Sequence, residues 1–311
     1  MTKNKISALL VVYNEEKVIK RCLDSIEDIV DEIIVVHDGE CKDKTLEICK
    51  KYGNTKIYIS SKNVGEAEPH RPFTAQLAEG EWLLPIDADE LLSNKLKAKI
   101  QKIVNSNGVV AGKKYDRFRA KWPEYYDGKS INSKSYKVIL TRKSKTKFLG
   151  IPHHKWELIE GNSLDMNEIL IHKPLGGQYI FSKNIKKYYR WSKIHARYLI
   201  TYIKNPELIP KFNYSSENFS KKSIIRIKHP VLSFIPTMVF TMVLNYKLYK
   251  TLPISLKIKK IFFMLYYQIM VSFYLCIYSS LLYKLYVEHI KKSKIFYNND
   301  DEFNIKYEMV K

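Results

Sequence analysis

The chain has 311 residues, 45% of them hydrophobic and 27% charged. That balance excludes disorder throughout and fits one large domain or two smaller ones. The net charge of +21 is uneven: residues 1–110 hold 16 Lys and Arg against 18 Asp and Glu, whereas residues 111–311 hold 37 against 14. A near-neutral first third is thus followed by a strongly cationic remainder. Such an excess suits nucleic acid or an anionic membrane surface. No RNP motif or zinc-finger spacing accompanies it, while long apolar runs do, so a membrane surface is expected and nucleic acid is not. Cys22, Cys41, Cys49 and Cys276 show no CxxC spacing and read as reduced structural thiols. The basic start is followed by a short apolar run without a small-residue cleavage site, so no signal peptide is expected.

In chain order, residues 6–13 form a continuous apolar run, the mark of a strand buried on both faces. Residues 16–29 carry Val18, Ile19, Leu23 and Ile26 at helical spacing. A second buried strand follows at 32–36, a short helix at 44–52, a third strand at 56–60, a helix at 72–78 with Pro72 in its first turn, and a fourth strand at 82–86. This alternation predicts an α/β fold with a mostly parallel sheet and helices on both faces. Residues 92–105 read as a helix capped by Ser93. Beyond 109 the short runs 109–111, 136–141, 147–149 and 168–171 predict an antiparallel extension of the sheet, and 182–202 a long basic-aromatic helix. Residues 230–246 and 261–283 lack charged side chains, with Lys247, Lys250, Lys257, Lys259 and Lys260 between them. By length 230–246 is marginal, and 261–283 qualifies to span a bilayer. Tyrosines along its length and flanking lysines favour helices lying in the cytoplasmic leaflet over true spanning. From 298 a polar, frayed tail is expected.

Ligands of an open parallel sheet bind beyond the carboxyl ends of its strands. There the sequence places Tyr13-Asn14-Glu15, His37-Asp38-Gly39 and Asp87-Ala88-Asp89-Glu90. Asp87 and Asp89, two apart in extended chain, point the same way and offer oxygen ligands to Mg²⁺ or Mn²⁺. The segments LVVYNEE, EIIVVHDGECKDKT and NVGEAEPHRPFTAQLAEGEWLLPIDADE, in this order and spacing, resemble the family 2 glycosyltransferases of GT-A fold. That resemblance implies an inverting transferase with a nucleotide-sugar donor and Mn²⁺ or Mg²⁺ as cofactor. It implies that Tyr13, Asn14 and Glu15 wrap the base, that Asp38 and Gly39 contact base or ribose, and that Arg71 lies near the phosphates. It further implies that Asp87, followed by Ala88, faces the ribose and that Asp89 ligates the metal. Where the family often has Asp-Asp, this chain has His37-Asp38.

The stretch 150–172, with Trp156-Glu157 and a strand ending in His172, looks like the subfamily that includes lipopolysaccharide-core glucosyltransferases. An inverting enzyme needs a base for the acceptor hydroxyl. Glu157 is the expected base, with Asp116 and Asp127 in reserve, and His172 a further candidate contact to metal or pyrophosphate. The histidine of the subfamily's His-Glu pair is replaced here by Trp156 or displaced to His153 or His154, which otherwise read as loop histidines without a role. Lys183, Lys187 and Arg190 recur at near-helical spacing and suit the donor diphosphate, a lipid phosphate or the membrane surface. The expected organisation is a transferase domain over 1–219, with a donor half to 110 and an acceptor half from 111. A membrane-associated helical region at 220–297 and the tail follow. The expected location is the cytoplasmic face of the cell membrane, acting on a lipid-linked or glycan acceptor. A polyprenyl-phosphate transferase and a non-catalytic membrane scaffold are the alternatives.

Overall fold

A computed structural model describes residues 4–126, 129–131, 135–175, 181–214, 239, 254–279 and 303–311. Strands β1 (Ile6–Val12), β2 (Glu32–His37), β3 (Thr55–Ser60) and β4 (Trp82–Pro85) pair in parallel in the order β3-β2-β1-β4. Their uninterrupted apolar sequences supply both faces at once. Ala8, Leu10, Ile33 and Val35 join one buried cluster with α1 (Ile19–Ile26), α2 (Thr45–Cys49) and α4 (Asn94–Asn105). Leu9, Ile34 and Leu83 join another with Ala75 of α3 (Arg71–Leu77). Helices on both faces are therefore present.

The α4 helix starts two residues later than its apolar pattern suggests. Leu92 belongs to β5 (Glu90–Leu92), which pairs antiparallel with β14 (Ser163–His172), so tertiary pairing overrides helical spacing. Ser93 does cap α4, its Oγ accepting from the Leu96 amide at 3.3 Å. Between them lie the hairpin β6 (Val109–Val110) with β7 (Lys113–Lys114), β8 (Arg117–Lys121), the pair β9 (Glu124–Tyr126) and β10 (Lys129–Ile131), and β11 (Tyr136–Arg142). The central sheet continues past β4 as β11, β8, β14 and β5. β11 is antiparallel to both β4 and β8, and β14 is parallel to β8. The run 147–149 departs from the expected extension. It forms β12 (Thr146–Leu149) of a separate small sheet with β13 (Glu157–Leu158) and β15 (Lys211–Phe212).

Two expectations for the last third are corrected. The tail is not frayed over its described part: Tyr307–Met309 (β16) pairs antiparallel with β3, and the Val310 amide donates to Ile57 at 2.8 Å. Tyr307 stacks on Phe73 at 3.7 Å between ring centroids, and Phe303 is buried against Tyr198. The second correction concerns helix α6 (Ile254–Ser279), which packs along α5 (Phe181–Lys204) and buries Tyr267 and Val271 with Ala196 and Leu199. His195 Nδ1 and Tyr267 Oη lie 2.6 Å apart. Among the described residues no helix is long and apolar enough to cross a membrane. The stretch from 261 is thus part of a helix with lysines in its first turns and one flank on α5. Most of 230–246, all of 280–297 and the boundary near 219 lie outside the described residues.

Candidate active site

The carboxyl ends of β1, β2 and β4 do converge, and each end is held by a definite set of hydrogen bonds. After β1, Asn14 takes a left-handed φ of 53°. Its amide donates to Nε2 of the fully buried His37 at 3.2 Å, and His37 Nδ1 lies 2.7 Å from the Gly39 carbonyl. The ring therefore carries its proton on Nδ1, and it pins two strand ends together where the family often has an acid. Gly39, at φ 80°, is required here, since a Cβ would meet Asn63 at 2.9 Å. The Glu15 amide donates to Thr45 Oγ1 at 2.6 Å, and Asn14 Oδ1 accepts from the Lys42 amide at 2.8 Å. Tyr13 stays exposed, with its ring 5.8 Å from that of His37.

Asp38 is buried, and its carboxylate is fully engaged. It accepts from the Val64 and Gly65 amides at 2.7 Å each and lies 2.9 Å from His70 Nε2. The geometry gives it the shaping of the 63–65 loop rather than the expected contact to base or ribose.

The third end is a charge network built around the buried Glu90 and Arg71. Asp87 Oδ1 accepts from Arg71 at 2.8 Å and Oδ2 from Lys137 at 2.5 Å. Lys137 also reaches both oxygens of Glu90, at 2.7 and 2.6 Å. Glu90 has no exposed surface and further accepts from Trp122 Nε1 at 2.7 Å and from the Asp87 amide at 2.9 Å. Burial alone would raise the Asp87 carboxyl, but Lys137 and Arg71 hold it below the usual carboxylate range. The network leaves Asp89 free of Arg71 and Lys137. Asp89 Oδ2 instead meets His172 Nε2 at 3.2 Å, because β14 brings His172 opposite Glu90 of β5. The His172 ring packs on Trp122 at 4.7 Å. Burial, and then the charges of Asp89, Asp43 and Asp87, push Glu15 up to about 7, so four carboxylates crowd this rim. From α5, Lys187 comes close enough for Glu66 and Asp89 to oppose the lowering of its pKa by burial, and Arg190 lies beside Gly65. The Lys183 side chain lies outside the described part.

Asp89 and His172 suit a divalent ion. Their 3.2 Å separation is close to that of adjacent ligands around one cation with bonds of about 2.1 Å. No cluster of three or more such ligands is preassembled among the described residues.

Beside the rim opens a cavity of about 340 Å³ that includes Asp87, Arg71, Lys137 and Trp122 in its walls. Glu157 does not line it. It pairs instead with Lys147 at 3.4 Å and His154 at 3.6 Å, whereas Glu68 and Asp87 are the carboxylates of the lining. Asp116 binds Arg142 at 3.0 Å near the opposite end of β8, away from the rim, and Asp127 lies outside the described residues. Lys137 and Glu90 were not anticipated. Their signal was a single Lys inside the apolar run YKVIL and a third acid directly after Asp89.

Residues 7–157, which include all three strand ends, match the family described as Glycosyl transferase family 2. This part of the chain is similar to that family, and it is built on a mixed sheet flanked by helices. The chain is similar to an uncharacterized glycosyltransferase of Rickettsia bellii (strain RML369-C), with 28% identity over 231 residues, 73% of this chain and 70% of that protein. It is also similar to an uncharacterized glycosyltransferase of Rickettsia conorii, 38% identical over 105 residues, 33% of this chain and 35% of that protein. The prophage-derived glycosyltransferase SunS of Bacillus subtilis (strain 168) is 39% identical over 100 residues, 32% of this chain and 23% of its own length. Of solved structures, S. aureus TarS residues 1–349 aligns over 88% of this chain and 91% of that one, with 13% identity and a TM-score of 0.41.

Proposed function

We propose that this protein is an inverting glycosyltransferase that moves a sugar from a nucleotide-diphosphate donor to a membrane-linked glycan or glycolipid in cell-surface glycan assembly. The observation that carries the reading is the convergence of Asn14-Glu15, Arg71-Asp87 and Asp89-His172 on one rim of the sheet. The nucleoside would lie along Tyr13, Asn14 and the Gly39 turn, with Arg71 toward the diphosphate and Lys187 and Arg190 approaching from α5. Asp89 and His172 would hold Mn²⁺ or Mg²⁺. Such an ion, when bound, neutralises charge on the departing diphosphate. In the transfer, the acceptor oxygen bonds to the anomeric carbon as the bond to the diphosphate breaks. The hydroxyl proton passes to a carboxylate, and the nucleoside diphosphate leaves.

Among the described carboxylates of the cavity, Asp87 is tied to Arg71 and Lys137. Glu68 is left as the base in reach of an acceptor, in place of Glu157. A membrane surface is supported by α6, where Ile254, Ile258, Phe262, Ile269 and Phe273 are exposed beside a cluster of lysines. The test is to incubate the purified chain with a panel of sugar nucleotides and Mn²⁺ or Mg²⁺, reading binding and slow donor hydrolysis. One donor bound and hydrolysed only with metal is the expected result, and no binding across the panel would overturn the reading.

A further inference from the structure

The cavity extends away from the acidic rim along one face of β8 and β11. Strand alternation sends Phe118 and Ala120 into the core and Arg117 and Arg119 to the cavity side, with Val138 opposite Arg119 on β11. Segment 154–156 forms the facing wall. Aromatic rings line both sides: Tyr136 and Trp122 on one, Phe148 and Trp156 on the other. Flat apolar rings interleaved with charged groups are the surfaces on which a sugar ring packs its C–H face while its hydroxyls reach polar partners.

The charge of this lining is unbalanced. Arg71 and Lys137 are neutralised by Asp87 and Glu90, and Arg119 is held by Asp165 through contacts of 2.6 and 2.8 Å. Arg117 differs. Its Nε is buried without a hydrogen-bond partner, and no described carboxylate forms an ion pair with it. The charge of Glu157 reaches Arg117, but that carboxylate bridges Lys147 and His154. Burial and the neighbouring Arg119 both oppose the charged form of Arg117, so the site carries an electrostatic penalty that an anion would relieve. Lys155, exposed at the cavity wall, likewise has no ion pair among the described residues.

Position separates this anion site from the reacting centre. Arg117 lies three residues along β8 from Ala120, which pairs with the rim residue Lys137, or about 10 Å at about 3.3 Å per residue. A group received there is not the nucleophile at the Asp87 rim. We infer that the acceptor is an anionic saccharide. Its ring lies among Tyr136, Trp122 and Trp156, and a carboxylate or phosphate, set back from the attacking hydroxyl, is received by the Arg117 guanidinium with Lys155 alongside. A guanidinium fork grips either oxyanion with two parallel hydrogen bonds. The inference rests on the transfer reaction proposed above, and it excludes an acceptor whose only anion is the attacking phosphate.

The test is calorimetric binding to the full chain of glucose, glucose 6-phosphate and glucuronate, with a panel of nucleoside diphosphates titrated separately. At least one anionic sugar is expected to bind tenfold or more tightly than glucose. Whichever of the two does so identifies the group. Arg117→Gln should abolish that preference, Arg117→Lys should restore part of it, and nucleoside diphosphate affinity should not change in either. Equal binding of glucose and both anionic sugars would overturn the inference. So would a preference that survives Arg117→Gln in a chain that still binds nucleotide. If Arg117→Gln fails to fold, the wild-type preference and the Arg117→Lys variant decide. A wild type that binds no nucleoside diphosphate yet keeps the preference refutes the transfer reaction and leaves the anion site standing.

Discussion

Tyr307 Oη lies 3.1 Å from Nδ1 of His70, and Nε2 of the same ring lies 2.9 Å from Asp38. A residue of the β16 strand thereby reaches the 63–65 loop beside the nucleotide rim through one buried imidazole. Tyr307→Phe keeps the stack on Phe73 and removes one hydrogen bond, so it should cost about 0.5–1.5 kcal/mol. Tyr307→Ala removes the stack as well and should cost about 3–5 kcal/mol. Urea unfolding of the two variants checks the order. Equal losses would show that the stack carries nothing.

The Lys137–Glu90 pair makes a sharper test of buried charge. Lys137→Met leaves Glu90 without its cation and should destabilise by about 3–5 kcal/mol. The double variant Lys137→Met with Glu90→Gln should be more stable than Lys137→Met alone, because the stranded charge is gone. A double-mutant cycle by thermal or urea unfolding gives the coupling, and additive losses would contradict the network.

Asp89→Asn should leave the unfolding free energy within about 1 kcal/mol of wild type, since Asp87, Arg71, Lys137 and Glu90 hold the strand end without it. Donor binding measured in EDTA and in Mn²⁺ should differ for wild type and coincide for the variant. Metal dependence retained by the variant would remove Asp89 from the ligand set.

Glu68→Gln should lower turnover by about 10²–10⁴-fold while sparing donor affinity. Glu157→Gln, which only frees Lys147 and His154, should lower it by less than about tenfold. The reverse order would return the role of base to Glu157 and require its side chain to turn into the cavity.

Glu66 supplies a pH signature. Burial, then Glu68 and to a smaller extent Asp38, push it up to about 9 against the pull of Arg190 and Lys187. The folded chain keeps this proton up to about 9, whereas the unfolded chain gives it up near 4.5. Between those values the folded state binds more protons, so its stability falls as pH rises, by about 1.4 kcal/mol per unit for this group. Glu66→Gln has no such proton. The wild-type melting temperature should therefore drop relative to the variant between pH 5.5 and 8.5. A constant difference between the two would show that Glu66 is ionised throughout.

The parallel half was legible because each of its strands is a short apolar run ending in polar residues, and burial on both faces leaves no other reading of LLVV and IIVV. The rim followed from those strand ends. The role of Asp38 did not, because an acid at a strand end serves a ligand or a loop amide equally well until the 63–65 loop is placed. β8 escaped notice because RFRAK alternates only two buried residues with three charged ones, and Lys137 because one Lys in an apolar run gives no hint of its partners. β16 alternates apolar and charged residues over residues 305–309, but five residues inside a polar tail give only a weak strand signal. Its pairing depends on β3, with Lys306 and Ser61 in contact 245 positions apart.

That separation bears on how the protein is made. Until β16 arrives, β3 is an open edge, with a row of unpaired amides and carbonyls along a strand whose alternate side chains are apolar. A nascent or refolding chain exposes this template while α5 and α6 are still being synthesised or docked, so its competing reaction is pairing with another copy. Yield on refolding should therefore fall with protein concentration, and a peptide spanning residues 303–311, supplied in excess, should compete for the edge and raise it.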